Sequence, residues 1–314
     1  MANLISRIIE PWYPSAAIGL EKGVVSVVHL DRLRGNACAV RRAATFNISD
    51  SLIRPGFDTA NIENVAQLAE VLRQLVASAG LMRQKRWSIA LPEASARTLV
   101  LTLESQPGSN AELQDILKWK IERGFGAELD ELSVARERLQ KDAQGRDRYL
   151  AIAVRRDVLR EYEATFEALG WRAGLVLPRH IGEAQWLIRN GSAGDGLLLS
   201  ASSDGFTAVI FRGKHPLIVR TVSCTPEECE DELYRLLLFY RDRRAEGEEG
   251  TTNLSRLMVI GDGLRKERVG QIVNETTGGN LRILDAADFG LQLPSGDFKF
   301  DTIAAPAGLA TLSW

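Results

Sequence analysis

The chain is poor in cysteine, nearly neutral in charge and without a long apolar run. Its three cysteines in 314 residues, Cys38, Cys224 and Cys229, predict no disulfide framework and indicate a reducing compartment. The formal net charge of −2 provides no global basic field, which argues against nucleic acid as a partner. No apolar stretch approaches the roughly 20 residues that span a bilayer, and the N-terminus lacks the apolar core of a signal peptide. We therefore expect a cytoplasmic protein with no membrane span of its own.

One pattern of elements occurs twice, about 180 residues apart. In each copy two short apolar strands flank a tight turn, and a third strand, an amphipathic helix and another apolar strand follow. The first copy comprises residues 17–20, 24–30, 38–48, 62–79 and 87–91, and the second comprises 197–200, 206–211, 217–222, 226–241 and 257–260. Two β-β-β-α-β units predict a duplicated α/β fold of two lobes around a cleft, and such clefts commonly hold ligands.

Residues 92–170 have no counterpart in the second copy and predict a small inserted α+β subdomain. It should contain strands at 97–103, 132–139 and 148–154, a helix opened by the capping box at 109–112, and a helix from Asp157 to Gly170. The expected domains are an N-terminal segment (1–14), a first lobe (15–91 and 171–191), the inserted subdomain (92–170) and a second lobe (192–314).

Several local signals set further expectations. Asn61 should cap the helix at 62–79, and the capping box at 225–228 should open the helix at 226–241. We also expect a helix at 178–189, a surface loop at 241–252, a last strand at 281–284 and a terminal helix at 306–312. In the segment 1–14, apolar residues at helical spacing fit either a membrane-surface or partner-docking helix or a segment packed on the domain. Arg7 is its one basic residue, which favours the packed segment.

The layout and four short segments resemble the actin-like nucleotide-binding superfamily, and within it the type IV pilus assembly family PilM, with the cell-division family FtsA as a more distant relative. The segments are 18–23 (IGLEKG), 148–162 (RYLAIAVRRDVLREY), 261–263 (GDG) and 307–310 (AGLA). Their order and spacing cover nearly the whole chain. The resemblance implies a duplicated actin-like, ribonuclease H-like fold with an inserted subdomain.

The resemblance also implies partners. Members of the PilM family bind the cytoplasmic N-terminal peptide of the membrane protein PilN in a groove between the first lobe and the inserted subdomain. That places the groove near residues 97–103 and 113–123 of this chain. Other pilus assembly components would be further partners, and the protein would associate peripherally with the inner membrane through them. A related secretion system remains the other setting for such a platform.

An actin-like site holds nucleotide with two hairpin turns that face the phosphates and carboxylates that hold Mg²⁺. The candidate residues of such a cleft are Gly19, Glu21, Gly23, Ser200, Ser202, Gly261, Asp262 and Gly263. In the first turn Glu21 stands where the family has aspartate, and Val24 and Val25 replace small hydroxyl residues. The longer acidic arm and the bulkier valines predict a poorer phosphate site.

The second turn departs further from the family's Asp-x-Gly, since it contains Ser200, Ala201 and Ser202. The nearby Asp204 is shifted along the chain and fits a turn residue. Hydrolysis needs groups preorganised to stabilise developing charge, so we expect no ATPase activity, no catalytic residue and no required cofactor. Weak binding of ATP with Mg²⁺ and an empty cleft both remain open.

Two cysteines and a histidine, Cys224, Cys229 and His215, lack the second ligand pair that zinc sites need, so we expect no metal site. The leading hypothesis is a scaffold that binds a PilN-like peptide. The alternative is an actin-like ATP-binding protein or small-molecule kinase, which would need an intact second turn. A cell-division protein would carry a C-terminal amphipathic membrane helix, and the sequence reaches Trp314 without one.

Overall fold

The computed structural model describes residues 13–191, 194–245, 254–278, 281–294 and 298–314. Its strands are β1 (Ala16–Glu21), β2 (Val24–Arg32), β3 (Cys38–Asn47), β4 (Arg86–Leu91), β5 (Arg97–Thr102), β6 (Leu132–Leu139), β7 (Arg148–Arg155), β8 (Arg172–Pro178), β9 (Asp195–Ser202), β10 (Gly205–Arg212), β11 (His215–Ser223), β12 (Leu254–Ile260) and β13 (Leu291–Gln292). Its helices are α1 (Val65–Ser78), α2 (Asn110–Phe125), α3 (Arg156–Glu167), α4 (Arg179–Asn190), α5 (Cys229–Ala245), α6 (Lys266–Thr277) and α7 (Phe300–Ala310).

The strand orders confirm the predicted duplication. One sheet contains the order β3-β2-β1-β4 and another the order β11-β10-β9-β12. In both, the first hairpin is antiparallel and its first strand pairs in parallel with the strand after the helix. The first strands β1 and β9 are almost wholly buried, because they lie at the centre of a sheet covered on both faces.

The first sheet has two more strands than the repeat predicts. Strand β8 pairs in parallel with β4, and β13 pairs in parallel with β3. Both were missed from the sequence, because β8 is a half-buried edge strand without clear alternation and β13 has only two residues. The expected strand at 281–284 is wrong: it is reduced to one bridge between Ile283 and Leu257.

The C-terminal part of the chain returns to the first sheet. Helix α7 packs on β1, β2, β4 and α4, and it is longer at its N-terminus than the expected helix 306–312. Pro306 lies inside it, with its ring against Gly19, where a Cβ would lie only 3.1 Å from the ring. Strand β13 and helix α7 therefore pack with the first sheet, whereas the sequence analysis placed both in the expected second lobe.

The inserted subdomain has a three-stranded antiparallel sheet, β5-β7-β6, with α2 on one face. Helix α3 departs from the expectation that it belongs to this subdomain. Its residues Val158, Tyr162 and Phe166 pack in the core formed by β1, β2, β4 and α1. Amphipathicity alone does not specify which of two neighbouring sheets a helix covers.

Asn61 was expected to cap α1, but the cap is Asn64, whose side chain accepts a hydrogen bond from the N–H of Gln67 at 3.0 Å. Asn61 is buried instead, and its amide nitrogen donates to the carbonyl oxygens of Gly56 and Thr59, both at 2.7 Å. Both asparagines precede the helix, and tertiary burial decides which of them is the cap.

The start of α5 differs from the expected helix 226–241 in a similar way. The Glu228 carboxylate accepts from the backbone N–H of Thr225 at 3.0 Å, but residues 226–228 form a turn and the helix begins at Cys229. Cys224 and Cys229 form a disulfide across this turn, with Cα atoms 5.7 Å apart. The sequence analysis expected no disulfide framework and did not foresee this single local bridge, since spacing in sequence does not reveal how a turn brings two side chains together.

Two of the expected segments lie wholly or partly in residues that the structure does not describe. Residues 1–12, which are most of the N-terminal segment, lie outside the described residues, and so do residues 246–252 of the expected loop 241–252. Residues 241–245 belong to α5. Among the described helices, none is both long enough and apolar enough to cross a membrane.

Candidate functional site

A cavity of about 540 Å³ lies where the two hairpin turns face each other. The first turn, the second turn, the start of α4, the loop after β12 and the helix α7 form its walls. Six of the eight candidate residues line it: Gly19, Glu21, Ser202, Gly261, Asp262 and Gly263. Gly23 and Ser200 do not line it. The duplicated topology therefore brings the two turns together, as the sequence predicted for the cleft.

The carboxylate of the first turn is engaged by a buried arginine. Arg179, the first residue of α4, places its Nη1 atom 3.4 Å from Glu21 Oε1 and donates from Nε to Glu183 Oε1 at 2.8 Å. The Arg179 side chain is 9% exposed and that of Glu183 is fully buried. A carboxylate that holds Mg²⁺ in such a cleft has to be accessible. The Glu21 carboxylate is instead paired with the guanidinium of Arg179.

The pKa values of all three ionisable side chains in this cluster are shifted. Burial raises the pKa of Glu21 to about 7, with Arg179 opposing the rise and Glu183 and Glu93 adding to it. Burial likewise raises the pKa of Glu183. For Arg179 burial disfavours the charged form, but Glu183 and Glu21 outweigh it and raise the pKa. The guanidinium therefore stays charged, while the carboxyl groups of Glu21 and Glu183 have pKa values above their ordinary range.

A second buried network joins the lobes beneath the cleft. Glu93 follows β4, and its Oε1 atom lies 2.7 Å from His180 Nδ1 and accepts from the hydroxyl of Thr207 on β10 at 2.6 Å. Burial raises the pKa of Glu93, but His180 and Thr207 outweigh burial and lower it. The sequence analysis missed this residue, although an acidic side chain directly after a buried strand was a visible signal.

The second turn presents hydroxyl groups to the cleft. The Ser202 hydroxyl accepts from the N–H of Asp204 and donates to the carbonyl oxygen of Gly205, both at 3.4 Å. Ser200, a candidate ligand, is 1% exposed, and its hydroxyl lies beside Glu183, whose pKa it lowers against the dominant effect of burial. The position that the family fills with aspartate therefore faces inward.

The two glycines of the loop after β12, Gly261 and Gly263, are required by close backbone packing. A Cβ at Gly261, whose φ is +93°, would collide with the carbonyl oxygen of Ala201, and one at Gly263 would collide with that of Ser202. The loop after β12 therefore packs backbone to backbone on the second hairpin. Within the part of the chain that the structure describes, no three His, Cys, Asp or Glu side chains are grouped to hold a metal ion.

A groove of about 440 Å³ lies on the inserted subdomain, at the end of β5 and along α2. Trp119 is 54% exposed on its wall, and the Lys120 ammonium and the Arg123 guanidinium lie 6.0 and 5.2 Å from the centre of its ring. The other lining residues are Leu103, Glu104, Ser105, Asp115 and Ile116. The groove shares residues with the regions 97–103 and 113–123 named in the sequence analysis, but it lies wholly on the inserted subdomain and not between that subdomain and the first lobe.

Comparison with solved structures shows the class of fold to which this chain belongs. The chain has an actin-like α/β fold. It superposes on the structure of a "PilM-PilN type IV pilus biogenesis complex" with a TM-score of 0.74 and 15% sequence identity, covering 96% of this chain and 99% of that chain. At this identity the match shows the fold, which is the PilM-like form of the actin-like fold, as the resemblance predicted.

Two further structures align at lower scores. One is a Bacteroides thetaiotaomicron protein with an actin-like ATPase fold and unknown function, at 13% identity, 98% and 99% coverage of the two chains and a TM-score of 0.48. The other is the cytoplasmic domain of EpsL from the type II secretion system of Vibrio cholerae, at 14% identity, 95% and 93% coverage and a TM-score of 0.46. No protein-family model and no curated protein sequence matches the chain.

Proposed function

We propose that this protein is a cytoplasmic scaffold of a type IV pilus inner-membrane assembly complex, held at the membrane by its partners. The observation that carries the proposal is the match in fold to PilM, solved with PilN, over 96% of the chain. A protein of this fold can couple partners without turnover, because each lobe and the inserted subdomain offers its own surface. The partner that we propose is a PilN-like membrane protein, bound through its cytoplasmic N-terminal peptide.

We propose that the cleft binds nucleotide weakly or not at all and that the protein is not an ATPase. Phosphoryl transfer depends on preorganised charge around the phosphates and on carboxylates free to position Mg²⁺. Glu21 instead pairs with Arg179, and the second turn offers the Ser202 hydroxyl and the carboxylate of Asp204, which is shifted along the chain from the place where the PilM family has aspartate. Because the charged guanidinium of Arg179 already lies beside Glu21, the residues around Glu21 do not fit a Mg²⁺ site.

One observation favours the alternative of an actin-like ATP-binding protein or small-molecule kinase. The cavity of about 540 Å³ persists between the lobes and is large enough for a small ligand. Steady ATPase turnover that disappears in the Glu21→Ala variant would establish this alternative and overturn the proposal of a scaffold without catalysis.

The groove beside Trp119 is where we propose that the peptide docks. A half-exposed indole next to apolar side chains supplies buried area on binding, and aromatic residues often dominate such interfaces. Lys120 and Arg123 lie over the same ring, and Glu104 and Asp115 line the same groove, so an approaching peptide meets charges of both signs around an apolar centre. Main-chain contacts at the end of β5 can add to the affinity.

Calorimetric titration tests the proposed function. We would titrate the chain with Mg-ATP and then with a peptide from the cytoplasmic tail of the PilN-like partner. We expect peptide binding without ATP binding, and a loss of about tenfold in peptide affinity in Trp119→Ala, as for an interface hot spot. Tyr234→Ala, which removes an aromatic residue 40% exposed on α5, is the matched control.

Each result of this titration has a defined meaning. ATP binding that changes peptide affinity would show that the cleft is still a switch, because such coupling is reciprocal. Absence of peptide binding would overturn the proposed partner while leaving the fold unchanged.

We also propose a division of the chain into structural units. The first lobe comprises residues 15–91 and 171–191, the inserted subdomain lies within 92–170, and the second lobe begins at 192. The pairing of β13 with β3 and the packing of α7 favour adding these two elements to the first lobe.

A further inference from the structure

We propose that one end of the first sheet is a basic surface that binds the anionic headgroups of a membrane directly. Strands β1, β4 and β8 run parallel and begin at this end, and the antiparallel β2 ends there. The cleft lies at the opposite end of the same strands, beside Glu21 and Glu93. This inference goes beyond the proposed function, in which partners alone hold the protein at the membrane.

Six exposed cationic side chains lie at this end, which we call the basic end. They are Arg32, Arg34, Arg83, Lys85, Arg86 and Arg172. Arg86 begins β4 and pairs with Arg172 at the start of β8, whose backbone N–H donates to the carbonyl oxygen of Lys85 at 2.8 Å. Arg32 ends β2, and Arg34 lies in the connection from β2 to β3. The topology thus brings cations from three separate segments of the chain to one end of the sheet.

The carboxylates of this end do not balance these cations. Among the described residues, no carboxylate pairs with any of the six. Asp31 pairs with Arg41 at 2.9 Å, and Asp288, in the loop before β13, pairs with Arg282. The acidic groups that remain are Glu167, Asp285 and the carboxylate of Trp314. Six cations against three anions leave this end positive.

The first residues of β4 and β8 place two like charges side by side. Like charges on neighbouring positions of adjacent strands destabilise a sheet. A Cβ at Gly174 would lie 2.7 Å from Arg86 Nε, so the Arg86 side chain crosses β8, which is the edge strand of the sheet. Its guanidinium therefore lies on the strand that Arg172 begins. An anionic group from outside the chain would relieve this repulsion.

Two exposed apolar side chains flank the basic end. Met82 is 45% exposed and directly precedes Arg83. Trp314 is 37% exposed, and its ring centre lies 5.3 Å from the guanidinium of Arg189, which donates to the carbonyl oxygen of Asn36 at 2.8 Å. Asn36 belongs to the connection between β2 and β3, so Trp314 lies on the other side of the basic end from Met82. Apolar side chains beside cations are typical of surfaces that rest on a bilayer.

This arrangement favours a membrane over a single phosphate. The six cations are spread along the end of the sheet, and none of them lines the cleft or the Trp119 groove. Spread cations match a plane of headgroups, whereas one phosphate is held by donors that converge on it. Residues 1–12 do not neutralise this end, since they contain one acidic and one basic residue, Glu10 and Arg7. The occupant is therefore a bilayer that contains anionic lipid.

Co-sedimentation with lipid vesicles tests the proposal. We expect the chain alone to bind vesicles of phosphatidylglycerol mixed with phosphatidylcholine, to bind more weakly in added salt, and not to bind pure phosphatidylcholine. The double variant Arg83→Glu with Lys85→Glu should weaken binding about tenfold or more, because each basic side chain near such a surface contributes roughly fivefold. Trp314→Ser should weaken it about threefold through lost apolar contact.

A matched control carries the same change of charge at the cleft end of the molecule. Lys22→Glu with Lys299→Glu should bind the mixed vesicles as the unmodified chain does, and far-ultraviolet circular dichroism checks that both double variants are folded. Because no partner is present, failure here is distinct from failure of a PilN-like peptide to bind.

Four results would each overturn the proposal. They are equal binding to neutral vesicles, equal loss in the two double variants, displacement of the vesicles by soluble glycerol phosphate, and absence of binding to the mixed vesicles. Displacement would indicate a site for a single phosphate, and absence of binding would leave an acidic partner protein as the occupant of the basic end.

Discussion

The two halves of this chain share one strand order but use it differently at the turns and at the sheet edges. The turn between β1 and β2 carries Glu21, held by Arg179, whereas the turn between β9 and β10 carries Ser203 and the exposed Asp204. The strands behind both turns are buried, and their apolar side chains fix the topology. The comparison teaches that buried strands preserve a duplicated fold while the turns that would handle a ligand are free to diverge.

The outer edges of the two sheets differ as well. In the first half β13 covers part of β3, at Cys38 and Ala39, and α7 covers a face of the sheet. In the second half no described strand covers β11. The C-terminal segment thus extends the first sheet, whereas β5 of the inserted subdomain is the element that lies beside β11.

Helix packing gives the largest expected difference between the halves. Gly308 of α7 crosses Gly182 of α4, and a Cβ at Gly308 would collide with the carbonyl oxygen of Gly182. Because two backbones must separate, Gly308→Ala should lower the free energy of unfolding by at least about 3 kcal/mol. Urea unfolding measures it.

Gly270 on α6 of the second half is the matched control. It is also helical, and a Cβ there meets nothing within 4 Å. Gly270→Ala should raise the free energy of unfolding by about 0.5 to 1 kcal/mol through helix propensity. Similar losses in both variants would contradict the close crossing of α4 and α7.

The first residue of the central strand is polar in one half only. Asp195 of β9 is fully buried and accepts hydrogen bonds from Arg212 at 3.1 Å and from the Tyr240 hydroxyl at 2.5 Å, whereas Ala16 begins β1. Asp195→Ala leaves these donors without that carboxylate, so we expect a loss of about 2 to 3 kcal/mol in urea unfolding. Tyr240→Phe removes one hydrogen bond and should cost about 1 kcal/mol. An equal cost for the two variants would show that Asp195 does no more than accept from Tyr240.

The sequence was sufficient for the duplicated topology, because alternation of apolar residues, glycine turns and helix caps occurs in the same order twice. It also specified Glu21, Ser202 and Gly261 as neighbours across a cleft. It could not show that Arg179, on a helix far along the chain, would pair with Glu21. Long-range ion pairs and the choice between Asn61 and Asn64 as a cap depend on tertiary burial, which local patterns do not encode.

The first turn should make stability depend on pH. Glu21 has a pKa of about 7 in the folded protein against an ordinary value of 4.5. The folded state therefore binds this proton more tightly, and the contribution of Glu21 to stability is complete below pH 4.5 and lost as pH rises through 7. Glu21→Gln imitates the protonated form and does not titrate. Its free energy of unfolding should therefore rise relative to that of the unmodified chain as pH increases over this window, by up to about 2 kcal/mol at pH 8.

Urea unfolding at pH 5 and pH 8 checks this expectation. Arg179, Glu183 and Glu93 face the same carboxyl, so the three are left unchanged in both proteins. Asp204→Asn on the exposed second turn is the control and should change stability little at either pH. A difference between Glu21→Gln and the unmodified chain that is the same at both pH values would exclude Glu21 as the group that titrates.

The smallest expected effect concerns how the equivalent helix begins in each half. Helix α1 is capped by the Asn64 side chain, which accepts from the N–H of Gln67, whereas at α5 a carboxylate, that of Glu228, accepts from Thr225. Asn64→Ala should cost about 1 kcal/mol in urea unfolding, because one N–H of the first turn loses its partner. Asn64→Asp keeps an accepting oxygen and adds a charge that the helix N-terminus favours, so it should retain the stability. If Asn64→Asp is as unstable as Asn64→Ala, the contribution of Asn64 is not a cap, and the start of α1 is fixed by its buried face alone.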